Sequence, residues 1–244
     1  MLDHSQQRWT ISGAGFSINI TCPRYFAALL SETLTGWSIK LSTHSLKPEL
    51  IIARQDDGYV VDALVLSNPE RHASVVGTLN EFYVNFAYLL AARTPKAVLL
   101  HCAAYQENKR NIILVGEKNS GKSSTVFQHA INGKCILADD LLLWRTDTAE
   151  FITLGLPIRL RRPIVNPTNF DVSGKAFFAN NGLAYSRVGT FNVAPAGVRF
   201  LLDELRYLSA NYTSEPINIL GITNTLRSHL IGQDFVTIKK EEIS

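Results

Sequence analysis

The stretch GEKNSGKSS, residues 116–124, constrains this chain more than any other. Gly116, Gly121, Lys122 and Ser123 fit the phosphate-loop pattern of Gly, four free positions, then Gly-Lys-Ser or Gly-Lys-Thr. At an average Gly usage of about 7 %, those four positions match by accident in roughly one chain of this size in a hundred. Context strengthens the match. The apolar run IILV leads into Gly116 and the residues after Lys122 can form a helix, which is the strand, loop and helix order that phosphate binding requires. On this reading Gly116, Glu117, Asn119, Ser120, Gly121, Lys122, Ser123 and Ser124 cradle a nucleotide, ATP. Lys122 neutralises its outer phosphates and Ser123 binds Mg²⁺.

Two further groups are drawn to the loop. A helix over 122–131 climbs about 15 Å at 1.5 Å per residue, and a strand over 135–139 returns about 16 Å. Asp139 is thus expected back at phosphate level. Asp139 and Asp140 end an apolar strand, a place for a general base and a metal carboxylate, or else for the start of a capped turn. The runs AVLLHCAAY and IILVG are joined by Glu107 to Arg110. If these form a hairpin turn, Gln106 faces Asn111 and His101 lands opposite Gly116, where it is expected to pair with Asp139. Arg159 and Arg161 alternate with Ile158 and Leu160 in PIRLRR, so both can share one strand face and clamp phosphate or an acidic acceptor, or simply face solvent.

Elsewhere the pattern is coarser. Residues 9–67 read as short strands, among them FSINI, GWSIKLS, ELIIA and YVVDALVL. Thr78 with Glu81 forms a capping box that predicts a helix over 79–93, stopped by Pro95. SSTVFQHAI reads as a helix ended by Gly133, and CILADDLLLW as a buried strand. From 151 to 195 the pattern is irregular. Val198, Leu201, Leu202, Leu205 and Leu208 predict an amphipathic helix, and ILGITNTLRSHLI a last one. The division expected is a strand-rich region over 1–95, shaping the acceptor site, and a catalytic domain over 96–244. Because an antiparallel hairpin feeds the loop, the sheet is expected to be mixed rather than all parallel.

Composition narrows the function classes. With 46 % hydrophobic and 18 % charged residues the chain can build a large core, and a net charge of +3 with scattered Lys and Arg argues against a nucleic-acid binder. Three cysteines without a Cys-x-x-Cys pair fit a reducing compartment. The polar start MLDHSQQRW predicts no secretory signal, and no apolar run approaches the roughly 20 residues of a membrane span. A cytoplasmic protein is expected.

Taken in order, LLHCAAY, IILVGEKNSGKSS and GKCILADDLLLW resemble the C-terminal catalytic domain of HPr kinase/phosphorylase, a bacterial serine kinase whose fold is shared with phosphoenolpyruvate carboxykinases. The resemblance covers residues 96–145. It is closer to divergent HPr-kinase-like proteins, some tied to peptide natural-product pathways and regarded as hydroxyl kinases. It implies an α/β, mixed-sheet P-loop kinase domain. It also implies His101, Lys122 and Asp139 in catalytic roles, Ser123 and Asp140 as metal ligands, and assembly into a homo-oligomer. The chain departs from that family at Ser124, where Glu is usual, and at Glu117-Lys118-Asn119-Ser120 within the loop. The implied activity is transfer of the γ-phosphoryl group of ATP to a hydroxyl of a peptide or protein serine or of a small molecule. The competing class is an ATP-binding regulator or NTPase that transfers nothing.

Overall fold

The computed structural model describes residues 5–43, 46–55, 57–66, 68–161, 176–180, 182–208, 214–216, 226 and 229–231. Among them strands dominate. The first sheet is built from β1 (Gln6–Gly13), β2 (Phe16–Pro23), β3 (Ser38–Leu41), β4 (Leu50–Gln55), β5 (Gly58–Ala63) and β6 (Glu70–His72), in the order β3-β1-β2-β4-β5-β6. Helix α1 (Arg24–Thr33) interrupts it, a helix the short alternating runs do not announce. Its start follows from Pro23, an extended N-cap, and it buries Phe26, Ala27 and Leu30 at i, i+1 and i+4.

Helix α2 (Val75–Arg93) begins four residues before the sequence places it. Ser74, not Thr78, is the cap: its Oγ accepts from the Gly77 amide at 3.1 Å. Thr78 instead lies inside the helix and donates back to the Ser74 carbonyl at 2.8 Å.

The central sheet is formed by β7 (Ala97–Glu107), β8 (Arg110–Gly116), β9 (Cys135–Arg145), β10 (Phe151–Ile152), β14 (Arg199–Phe200), β15 (Glu204–Leu208) and β16 (Ser214–Pro216), ordered β14-β10-β9-β7-β8-β15-β16. The short strand β17 (Leu230–Ile231) also pairs with β7. A third sheet holds β11 (Arg159–Arg161), β13 (Leu183–Ser186) and β12 (Phe177–Ala179). The turn between β7 and β8 is closed by Asn108 and Lys109 at φ 51° and 64°, and Gln106 faces Asn111. Helix α3 (Lys122–Ile131) follows the loop.

This architecture overturns the expected α/β P-loop kinase fold. Three helices stand against seventeen strands in three sheets among the described residues, so the chain is not a compact, helix-flanked kinase domain. The region read as a helix at 198–208 is one cause. Leu205 packs into the core cluster of Leu100, Cys102 and Val115, whereas Leu208 packs with Val126 and Phe127. Both faces of β15 are covered, so its apolar residues fall at a spacing that imitates a helix. The strand runs parallel to β8, Leu205 beside Ile113 and Leu208 beside Gly116. Most of the last helix expected, ILGITNTLRSHLI, lies outside the described residues, and its end is the strand pair Leu230–Ile231.

The sheet face that carries His101 is divided between two helices. Ala97 and Leu99 of β7 pack into the core shared with Leu79, Phe86 and Leu90 of α2. Ala103 and Tyr105 pack with Val126, Phe127 and Ala130 of α3. His101 falls between, at the seam where neither helix covers the strand.

Candidate functional site

At that seam opens a cavity of about 630 Å³, within the usual range for a small-ligand site. The loop after β8 forms one wall. Gly116 has φ 152°, and a Cβ there would meet the Leu208 carbonyl oxygen at 2.4 Å, so only glycine lets β15 pass this close. Gly121, at φ 94°, caps α3. Lys122 is 7 % exposed, and its Nζ donates to the carbonyls of Gly116 at 2.7 Å and Glu117 at 3.0 Å. Burial lowers its pKa. Asn119, Ser120, Gly121, Ser123 and Ser124 line the cavity, whereas Gly116 and Glu117 meet Lys122 through their backbone. Ser120 Oγ is buried without a hydrogen-bond partner.

The two acids of β9 enter the same cavity in different states. Asp139 is 2 % exposed; one oxygen accepts from the Arg159 amide at 2.8 Å and Oδ1 has no partner. Burial, reinforced by the negative charge of Asp140, pushes its carboxyl from the ordinary 3.8 up to about 6. Asp140 lies opposite Cys102, so regular alternation would turn it to the other face of the sheet. Its φ of 80°, rare for a non-glycine residue, departs from that alternation. Its Oδ1 accepts from His101 Nε2 at 3.1 Å and from Arg159 Nη2 at 2.7 Å. Burial alone would raise the Asp140 carboxyl. The hydrogen bond from His101 and the charges of Arg159 and Lys122 outweigh burial and hold it below the usual range.

His101 therefore pairs with Asp140, not with Asp139 as expected from sequence. The hairpin ladder supports the predicted register only as far as Ala103 and Leu114. Beyond it the His101 amide donates to the carbonyl of His229 at 2.9 Å. Arg159 and Arg161 do share a face of β11, with Leu160 buried between them, and both line the cavity. Arg161 Nη1 donates to Asn119 Oδ1 of the loop.

Three side chains escaped the sequence reading. Asn80 of α2 accepts from Arg159 Nη1 at 2.8 Å and from the Tyr185 hydroxyl at 3.0 Å. His229 Nε2 accepts from the Gly116 amide at 3.2 Å. Asn80 and Tyr185 lie 105 positions apart and carry no motif, so no local signal could have found them.

The donor set fits a nucleotide with a divalent cation. A cationic lysine, two orphaned buried polar atoms, Ser120 Oγ and Asp139 Oδ1, and a second carboxylate held ionised converge on one cavity. No helix among the described residues is long and apolar enough to cross a membrane. No protein family and no curated protein sequence matches this chain.

Proposed function

We propose that the cavity is the active site of an ATP-dependent phosphotransferase acting on a hydroxyl, most simply a serine of a peptide or protein, or a small hydroxylated molecule. The observation that carries this reading is Asp139, a buried carboxylate with an unpartnered oxygen and a proton affinity raised to about 6, facing a phosphate-loop lysine. An ATP sensor has no use for a base poised near neutrality. The order of strand histidine, loop and Ala-Asp-Asp end, which resembles HPr kinases, supports the same reading.

In the proposed reaction the acceptor oxygen attacks the γ-phosphorus while the bond to the β,γ-bridging oxygen breaks and ADP leaves. Asp139 Oδ1 accepts the hydroxyl proton as the new P–O bond forms. Lys122 exchanges the loop carbonyls for phosphate oxygens, and the loop amides at the start of α3 stabilise the charge on the transferring group. Ser123 and Asp140 would hold Mg²⁺, whose charge would neutralise the phosphates. Asp140 commits Oδ1 to His101 and Arg159, so its second oxygen would be the one to hold the cation. His101 and Arg159 hold that carboxylate in place, and Arg161 is set to meet phosphate or an acidic acceptor.

The test is incubation with γ-labelled ATP, Mg²⁺ and serine-containing peptides or small alcohols. Label should move to an acceptor, Lys122→Ala should abolish the transfer, and Asp139→Asn should slow it at least about a hundredfold. ATP hydrolysis at equal rates with and without every acceptor, or transfer at the wild-type rate in either variant, overturns the proposal.

A further inference from the structure

Away from the cavity, β6 and the second turn of α2 bring together Glu70, His72 and Glu81. One ligand atom from each lies within 4.8 Å of the other two. We propose that these three residues form a binding site for a divalent transition-metal ion of the Zn²⁺, Mn²⁺ or Co²⁺ class, clipping edge strand β6 to α2. Glu70 and His72 stand two apart on the strand, so both project to the same side. Glu81 meets them from the helix. An imidazole with two carboxylates is a mixed nitrogen and oxygen donor set, suited to these ions rather than to Mg²⁺, which prefers oxygen alone.

Two features require something between these groups. His72 Nε2 is shielded from water and has no hydrogen-bond partner, although Glu70 Oε2 stands 3.9 Å away. A buried, unpaired ring nitrogen is costly, and a metal bond would satisfy it. Ligand atoms of the two carboxylates also approach each other within 4.8 Å. A divalent ion would relieve the repulsion between carboxylates held this close.

The surroundings suit a ligand set. Asn85 Nδ2 donates to Glu81 Oε1 at 2.6 Å, which orients the carboxylate and leaves Oε2 for the ion. The Glu70 side chain is 50 % exposed, which provides an entry path and open coordination positions for water. Ligand atoms around a tetrahedral ion sit roughly 3.4 Å apart, so Glu70 has to swing inward by about 1 Å. A half-exposed glutamate can do this. This site owes nothing to the phosphotransfer reading.

The experiment is titration of the chelator-treated full chain with Co²⁺ in excess Mg²⁺, which fills oxygen-only sites, followed by calorimetry and by cobalt absorption. One equivalent should bind, with a cobalt spectrum indicating nitrogen ligation and a raised melting temperature. Glu81→Gln and His72→Gln should each weaken binding by at least tenfold while melting near the wild type without metal. If His72→Gln fails to fold, Glu70→Gln at its exposed position carries the same test. No Co²⁺ uptake by the wild type, or uptake unchanged in these variants, overturns the site.

Discussion

At its far end β9 sets Arg145 beside Asp147 at 2.9 Å and Glu150 at 3.5 Å, with Arg199 also 3.6 Å from Glu150. In its middle, the same strand buries Asp139 with one oxygen orphaned and bends its backbone at Asp140 to bring a second carboxylate alongside. At the far end opposite charges meet near solvent, where each pair contributes about 0–1 kcal/mol, and the buried atom left without a partner, Arg145 Nε, belongs to a guanidinium already held by Asp147 and Glu150. In the cavity the desolvation of Asp139 is only partly offset, whereas at the adjacent Asp140 His101, Arg159 and Lys122 outweigh it. Charge near the surface is thus spent on local order. Charge in the cavity is held in a state that binding can relieve, the expected signature of a working site.

Substitutions at the two places should differ accordingly. Asp139→Asn should lower phosphotransfer by about 10²–10⁴-fold, the usual contribution of a general base, with nucleotide affinity retained; transient kinetics with a working acceptor measures this. Transfer by the wild type should rise as pH increases through about 6, because Asp139 accepts a proton only when ionised.

The same substitution should alter stability in the opposite sense. The folded-state pKa of Asp139 lies above its ordinary 3.8, so its contribution is full below that value and is lost as pH climbs through about 6. The loss is about 3 kcal/mol at most for a shift of roughly two units. Urea melts from pH 4 to 8 should show Asp139→Asn lacking this decline and exceeding the wild type at pH 8. Equal pH dependence in both would show that Asp139 is not held as described.

Arg159→Ala removes a cation from Asp140 and a hydrogen-bond donor from Asn80. With both members of the pair less than a quarter exposed, it should cost about 2–3 kcal/mol, below the figure of about 3–5 for fully buried pairs. At the far end, Glu150→Gln should cost less than about 1 kcal/mol and leave phosphotransfer unchanged. A large loss there would erase the contrast between the two places.

Much of the cavity was readable in the chain because its parts are local. The loop pattern, the return of Asp139 after one helix and the alternation of Arg159 with Leu160 and Arg161 depend only on residue spacing. The hairpin register, Gln106 against Asn111, followed from a two-residue turn. Other expectations failed where a distant partner intervened. Leu205 and Leu208 imitated a helix because separate cores cover the two faces of β15. His101 was matched to the wrong acid because strand alternation cannot foresee a left-handed φ at Asp140.

Spacing along the chain, then, determined which groups could stand at the phosphate loop, since a strand, a turn and a short helix have nearly fixed rises per residue. Which acid is ionised, which oxygen is left unpaired, and that Asn80 and Tyr185 back Arg159 while His229 meets the Gly116 amide were set by packing among segments far apart in sequence. Burial and neighbouring charge act through space, and they arise only when α2, β7, β9 and β11 come together.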